Sequence, residues 1–273
     1  MKIAISSDLH IDLNHADAES LCKQQAHYLD EQHIDYYFSL GDAFNDFVKT
    51  QWYFKKLNQA MTDSTAYYLA GNHDMLANTS AEQLEGKVDD YYFHNRVLDL
   101  PGTAWRIIGN NGWYDYSFST YYDDPAAVAQ WKRAYWVDRA ISQGITDYQR
   151  MDRALAQIRT QLQQAADDQR KVIFLTHFVP IRQAVPALHF ANPRRQRMWE
   201  MTKAMMGSAR LGQLLSAFPQ VREVDYGHLH HALDKIVNGG VSYYSRPVGV
   251  QRKEGWRGSL YDRWQATLQI RKY

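Results

Sequence analysis

The chain has 273 residues, enough for one large domain or two modest ones, and its 45% hydrophobic and 22% charged residues are ordinary for a globular protein. Thirty-one Lys and Arg against 30 Asp and Glu give a formal charge of +1, which counts against nucleic acid or an anionic membrane as a partner. The single cysteine, Cys22, suits a reducing compartment, and no run approaches the roughly twenty apolar residues of a membrane span, so we expect a cytoplasmic protein.

The first predicted unit is a strand, a helix and a second strand. Its three elements are predicted at residues 2–6, 17–32 and 34–40. Asp8 and His10 follow the first strand, and Asp42 follows the second after the flexible Gly41. A right-handed crossover makes the strands parallel, so these side chains should meet at one edge of the sheet. If the backbone is extended there, Asp8 and His10 share one face because they are two residues apart.

The same pattern is repeated by a second helix and a third strand. Residues 47–60 predict an amphipathic helix and residues 66–70 a strand, which leads directly into Asn72, His73 and Asp74. The strand end would bring an amide, an imidazole and a carboxylate to the same rim. Taken alone, Asn72 is also a good turn residue.

The middle of the chain is rich in aromatic residues. Short strands are predicted at 91–93, 96–100 and 105–109, and a long amphipathic helix at 148–166. The aromatic block at 113–122, with Trp131 and Trp136, lies in a helical insertion predicted at about 113–168. These rings could form a wall on which a flat group stacks, or they could fill the core of the insertion.

Two more strand ends carry histidines. His177 follows a buried strand at 171–176, and His228 and His230 follow a strand at 221–226. The spacing of the second pair again places both on one face of extended backbone, with His231 pointing away. A helix is predicted at 207–218, and the tail at 240–245 and 264–271 alternates like antiparallel strands.

One local basic cluster lies at residues 194–197, with the sequence Arg-Arg-Gln-Arg. Such a run is usually a solvated loop face, although it could approach a phosphate.

The side chains at the strand ends are carboxylate, amide and imidazole groups without thiolate. This mixture suits Mn, Fe or Zn better than a structural zinc or calcium site. Asp42 has two oxygens and could bridge two cations if the other strand ends complete each coordination sphere.

Read in order, the polar blocks closely resemble those of the calcineurin-like metallophosphoesterase family. The blocks are Asp8-x-His10, Gly41-Asp42, Gly71-Asn72-His73-Asp74, His177 and Gly227-His228-x-His230. The resemblance implies an α/β fold: a four-layer α/β/β/α sandwich with two mixed β-sheets, here one domain spanning residues 1–273.

The resemblance also implies two metal ions and their ligands. The first ion would be held by Asp8, His10, Asp42 and His230. The second would be held by Asp42, Asn72, His177 and His228.

His73 would act on the leaving group rather than on metal. Many family members have an Asp three residues after the bridging Asp to orient this histidine, but this chain has Asn45 followed by Asp46. Asn45, Asp46 and Asp74 are therefore alternative partners, and His73, Asp46 and Asp74 are the candidate catalytic residues.

The implied activity is hydrolysis of a small-molecule phosphomonoester or phosphodiester, with nucleotides and cyclic nucleotides as candidates, through in-line attack by a metal-bridging hydroxide. A nuclease of the same superfamily and a catalytically silent scaffold are the alternatives. The near-neutral charge counts against a nuclease, and the full set of ligands counts against a scaffold.

Overall fold

The computed structural model describes residues 1–77 and 79–273. In chain order, the strands are β1 (Lys2–Ser6), β2 (Tyr36–Ser39), β3 (Thr65–Tyr68), β4 (Arg96–Asp99), β5 (Trp105–Gly109), β6 (Lys171–Leu175), β7 (Val221–Asp225), β8 (Leu233–Asn238), β9 (Val241–Ser245) and β10 (Gln269–Lys272). The helices are α1 (Ala18–Glu31), α2 (Phe47–Ala60), α3 (Ala81–Glu85), α4 (Pro125–Tyr135), α5 (Asp147–Asp167), α6 (Pro193–Ala204), α7 (Ala209–Ser216), α8 (Gln251–Glu254) and α9 (Leu260–Thr267).

The strands form two mixed sheets. The first has the order β10-β1-β2-β3 and the second β4-β5-β6-β7-β9-β8. In the first sheet β1, β2 and β3 are parallel, and β10 is antiparallel to β1. In the second, β5, β6, β7 and β9 are parallel, with the antiparallel strands β4 and β8 at the edges. The parallel strands of each sheet therefore end at a common edge, as the sequence predicts.

Alternation along the strands explains the four layers. Ile3 and Ile5 of β1 join one buried cluster with Ile107 and Ile173 of the second sheet, so one face of each sheet packs against the other. Ala4, between the two isoleucines, instead joins the cluster that contains the helix residues. The helices cover the two outer faces, and the predicted α/β/β/α sandwich with two mixed sheets is confirmed.

Several predicted boundaries were wrong. The stretch predicted as a strand at 264–271 is helical up to Thr267, because Ser259 and Asp262 form a capping box that starts α9. Residues 91–93 form a bridge between Tyr68 and Tyr92 rather than a strand. Strand β8 was not predicted from the sequence.

The basic cluster at 194–197 lies on α6 instead of a loop. The side chain of Asn192 accepts hydrogen bonds from the first backbone amides of the helix, and Pro193 occupies the first turn. This Asn-Pro signal was available in the sequence.

The predicted insertion at about 113–168 contains α4 and α5. α5 connects the parallel strands β5 and β6 and packs on the second sheet through Ile158 and Leu162. The aromatic stretch and α4 precede it. The single-domain assignment stays a prediction. Among the described residues, no helix combines the length and apolar character that crossing a bilayer requires.

Candidate metal centre

The candidate ligands lie just beyond the parallel strands, but their backbone is not extended as predicted. Asp8, His10, Asp42, His228 and His230 have φ angles of 57°, 43°, 57°, 72° and 58°. L-residues rarely adopt this left-handed conformation, which costs about 1–2 kcal/mol per residue. Such strained backbone persists where surrounding structure enforces it, and it is concentrated at functional sites.

The first group of side chains consists of Asp8, His10, Asp42 and His230. Each offers one ligand atom, and these atoms all lie within 4.8 Å of one another. His230 Nε2 lies 2.8 Å from His10 Nε2 and 3.4 Å from Asp8 Oδ1. Two imidazole nitrogens that converge so closely need a shared proton or a cation between their lone pairs. The four residues predicted to hold the first metal are therefore together.

The second group shares Asp42 and adds His177, His228 and Asn72. His177 Nε2 lies 3.5 Å from Asp42 Oδ2 and 3.2 Å from His228 Nδ1. The Asn72 Oδ1 atom lies 3.3 Å from His177 Nε2 and 3.1 Å from His228 Nδ1. The four residues predicted to hold the second metal also converge.

Asp42 lies between the two groups. Its Oδ2 atom is 3.8 Å from His10 Nε2 and 3.5 Å from His177 Nε2. Oδ2 is fully buried, and within the described residues it has no hydrogen-bond partner. An unpaired buried carboxylate oxygen is costly unless a cation faces it, so this atom fits a bridging ligand.

Hydrogen bonds to backbone carbonyls aim two of the imidazoles. His177 Nδ1 donates to the carbonyl of Leu40 at 2.8 Å, and His228 Nε2 donates to that of Met205 at 3.1 Å. Each bond fixes the tautomer and leaves the other ring nitrogen with a free lone pair facing Asn72 Oδ1. Neutral imidazoles oriented in this way are suited to metal ligation.

Asn72 is oriented by Asp138, a residue that the sequence did not indicate. The Asn72 side-chain amide donates to Asp138 Oδ1 at 2.8 Å, which turns Asn72 Oδ1 towards the two histidines. Asp138 Oδ2 accepts from the Tyr114 hydroxyl at 2.9 Å and from Trp136 Nε1 at 3.1 Å. The inserted segment before α5 therefore holds a candidate ligand in place.

Burial determines the electrostatics of the cluster. Desolvation raises the pKa of Asp8 to about 7, and desolvation followed by repulsion from Asp8 raises the pKa of Asp42 well above its ordinary value. Desolvation also lowers the pKa of His177 and of His230 to about 3. The imidazoles are therefore neutral and the carboxylates need positive charge nearby, which is the balance that divalent cations restore. The residues present fit two metal ions.

Glycines allow the strand ends to approach one another. A Cβ atom on Gly71 would overlap Asp42 Oδ1, and one on Gly41 would lie 2.5 Å from the backbone nitrogen of Gly71. Gly41 also has a φ angle of 96°. Side chains at these positions would push Asp42 out of the cluster.

His73 lies beside the first group. Its ring packs edge-on against His10, with the ring centroids 4.7 Å apart. Its Nδ1 donates to Asn45 Oδ1 at 2.6 Å, and its backbone amide donates to Asp42 Oδ1 at 2.8 Å. Of the three predicted partners, Asn45 is therefore the one that orients His73.

The structure places the other two candidate catalytic residues elsewhere, which corrects their assignment. Asp46 caps α2, where its Oδ1 accepts from the amides of Val48 and Lys49. Buried Asp74 accepts from the amides of Asp42, Ala43, Phe44 and Gly71 and from the Thr50 hydroxyl, which stabilises two ligand-bearing loops. Both carboxylates support the backbone around the site.

The aromatic block is divided between two roles. Trp113, Tyr114, Tyr116 and Phe118 are buried, with at most 3% of their surface exposed, so they fill the core as the alternative prediction states. Trp131 and Trp136 are only partly buried and line a surface cleft.

Two mixed sheets packed face to face, with paired Asp and His clusters beyond their strands, define an α/β protein of the metallo-dependent phosphatase fold. The calcineurin-like phosphoesterase family profile matches residues 1–232, so the chain belongs to this family and the resemblance is confirmed. The family implies divalent metal ions, and phosphoester hydrolysis is its shared chemistry. A search of curated proteins found no match.

Solved structures support the fold. A phosphopantetheinyl hydrolase from Mycobacterium tuberculosis is 17% identical, covers 99% of this chain and 95% of its own, and gives a TM-score of 0.66. A dimetal phosphatase from Danio rerio is 14% identical, with 92% and 88% coverage and a TM-score of 0.54. An anchor protein of the inner membrane complex of Plasmodium is 13% identical, with 91% and 72% coverage and a TM-score of 0.50. Because a hydrolase, a phosphatase and an anchor share the fold, the site must decide the function.

Proposed function

We propose that this protein is a binuclear metal-dependent hydrolase of a small-molecule phosphomonoester or phosphodiester. The observation that carries the proposal is Asp42 Oδ2, which is buried, unpaired within the described residues and shared by two groups of candidate ligands. A silent scaffold would have no need to maintain such a costly arrangement. Mn, Fe and Zn suit the oxygen and nitrogen donors.

When bound, two such cations would supply Lewis acidity, a lowered pKa for a coordinated water, and charge compensation for an in-line displacement at phosphorus. The residues of the chain provide the rest. Asp8, Asp42 and the four imidazoles would hold the cations just beyond the strand ends, where the rigid sheets support these side chains.

His73 is the candidate group for the leaving oxygen. Its Nδ1 donates to Asn45, so Nε2 is the free ring atom, which accepts a hydrogen bond while the ring is neutral and can give a proton to the leaving oxygen only from the protonated ring. The backbone amide of His73 donates a hydrogen bond to Asp42 Oδ1, which couples the position of His73 to that of the shared carboxylate.

Hydrolysis of aryl esters tests the proposal. Protein loaded with Mn should hydrolyse p-nitrophenyl phosphate or bis-p-nitrophenyl phosphate, and the rate should be lost after treatment with a chelator and restored by Mn. Asp63→Asn is the control for a surface carboxylate, because Asp63 lies exposed in the turn before β3. A metal-replete protein that hydrolyses neither ester contradicts the proposal, and turnover of DNA or RNA in their place would indicate a nuclease.

The cytoplasmic location and the restriction to small substrates stay predictions. The first rests on the single Cys22, which is buried. The second rests on the near-neutral formal charge of +1.

A further inference from the structure

We propose that a cleft between α4 and α6 binds the nucleotide portion of the substrate. The cleft has a volume of about 730 Å³, within the range of small-molecule sites. This inference rests on the proposed function and specifies its substrate class: a phosphate ester that carries a nucleobase and a further anionic group.

Three aromatic side chains from α4 and its end line the cleft. The Trp131 ring centroid lies 5.8 Å from that of Tyr135 and 5.7 Å from that of Trp136. Tyr135 is 73% exposed, so its ring is accessible to a ligand in the cleft. A row of accessible rings provides π-faces on which a base can stack.

The opposite wall comes from α6 and is basic. Arg194 and Arg197 line it together with Met198, and in the part of the chain that the structure describes no Asp or Glu lines the cleft. The formal charge of the whole chain is only +1, so this concentration of positive charge is local. Guanidinium groups bind phosphate oxygens in bidentate geometry and also stack on flat rings.

Both walls are connected to the metal centre on the side of Asn72 and His228. Trp136 donates to Asp138, and Asp138 orients Asn72. At the other wall α6 ends at Ala204, and the carbonyl of the next residue, Met205, accepts from His228. A group bound in the cleft would therefore contact elements that hold candidate ligands of the second cation.

The combination of walls favours a nucleotide over other occupants. An alkyl chain would gain little from two arginines in a cleft that no described Asp or Glu lines, and an inorganic anion would gain nothing from the aromatic rings. A base carrying phosphate groups matches the aromatic row and the guanidinium groups at once.

Binding of ADP to the metal-free 273-residue chain, measured by isothermal titration calorimetry, tests the inference. We expect one molecule of ADP per chain, and weaker binding of adenosine, which lacks the anionic groups. Trp131→Ala and the double variant Arg194→Gln with Arg197→Gln should each weaken ADP binding about tenfold or more.

Two matched controls are available. Arg195 is exposed on the same helix but does not line the cleft, and Trp52 is partly exposed on α2. Arg195→Gln and Trp52→Ala should leave the dissociation constant within about twofold, and circular dichroism should show that all variants are folded. No ADP binding by the wild-type protein, or equal weakening by the controls, overturns the inference. The aryl-ester assay is independent of this measurement. A protein whose cleft does not bind ADP can therefore be distinguished from one whose metal centre does not hydrolyse aryl esters.

Discussion

Replacing Asp138 by Asn should weaken the second cation site selectively. Asp138 Oδ2 accepts from Tyr114 and Trp136, and Oδ1 accepts from Asn72. In the Asp138→Asn variant, the single remaining oxygen should face the two donors, so the new amide group points at the donating amide of Asn72. Two donors cannot bond to each other. The Asn72 side chain should therefore flip and turn its oxygen away from His177.

The size of the expected loss in metal affinity follows from the hydrogen bond that Asp138 accepts from a candidate ligand, Asn72. Loss of such a supporting hydrogen bond typically reduces metal affinity about 10- to 100-fold, or about 1.4 to 2.7 kcal/mol. Titration calorimetry with Mn should show one site close to the wild-type affinity and one weakened site. The effect should be selective because Asn72 is a candidate ligand in the second group only.

Asp147→Asn is the matched control. Asp147 also accepts from a tryptophan, a tyrosine and a cation, namely Trp113, Tyr116 and Lys132, but it does not contact a candidate ligand. The Asp147→Asn substitution should lower thermal stability without changing Mn affinity at either site. The reasoning is refuted if Asp138→Asn binds two Mn ions as tightly as the wild type, or if Asp147→Asn weakens the same site.

Other predictions concern the shared carboxylate, the candidate acid and the pH dependence of metal binding. Asp42→Asn should lower the occupancy of both cations, because Asp42 belongs to both groups; unchanged metal content by elemental analysis would contradict a bridging role. His73→Ala should retain both ions but reduce kcat by about 10² to 10⁴, and Asn45→Ala should cause a smaller loss in the same assay; normal turnover of His73→Ala removes it from the mechanism. Mn affinity should rise as the pH increases from 5 through 7, because the pKa of Asp8 is raised to about 7 and binding must displace its proton, whereas the histidines have lowered pKa values and are already neutral. Calorimetry in buffers of different ionisation enthalpy measures this proton release, and a flat pH profile would speak against it.

The sequence predicted most of the sheet architecture because its signal is local. Short apolar runs followed by polar turns mark the strands at 2–6 and 171–176 directly, and parallel pairing with β2 and β7 then places the end of each strand beside that of its neighbour. The tail was misassigned because the residues around Trp264 fit both the two-residue period of a strand and the period of a helix. The capping box at Ser259 favours the helix.

The candidate ligands were predictable from their order and spacing, but their geometry was not. Residues two apart suggested extended backbone at Asp8 and His10, whereas both have positive φ angles. Asp138 was not found because its role depends on a contact across 66 residues, and no local pattern distinguishes it from a surface carboxylate. Asn45 could be named only as one of three candidates, since Asn45 and Asp46 both follow Asp42 closely in sequence and Asp74 adjoins His73.

The left-handed backbone at Asp8 and Asp42 restricts how this centre can change during evolution. Asn tolerates that conformation better than most other residues and preserves the shape of the side chain, whereas bulky or β-branched residues would distort the loop itself. Descendants that abandon catalysis while keeping the architecture should therefore carry Asn or Gly at these two places. Conversely, an alanine scan would confuse the loss of a ligand with relaxation of the turn, and amide substitutions separate the two effects.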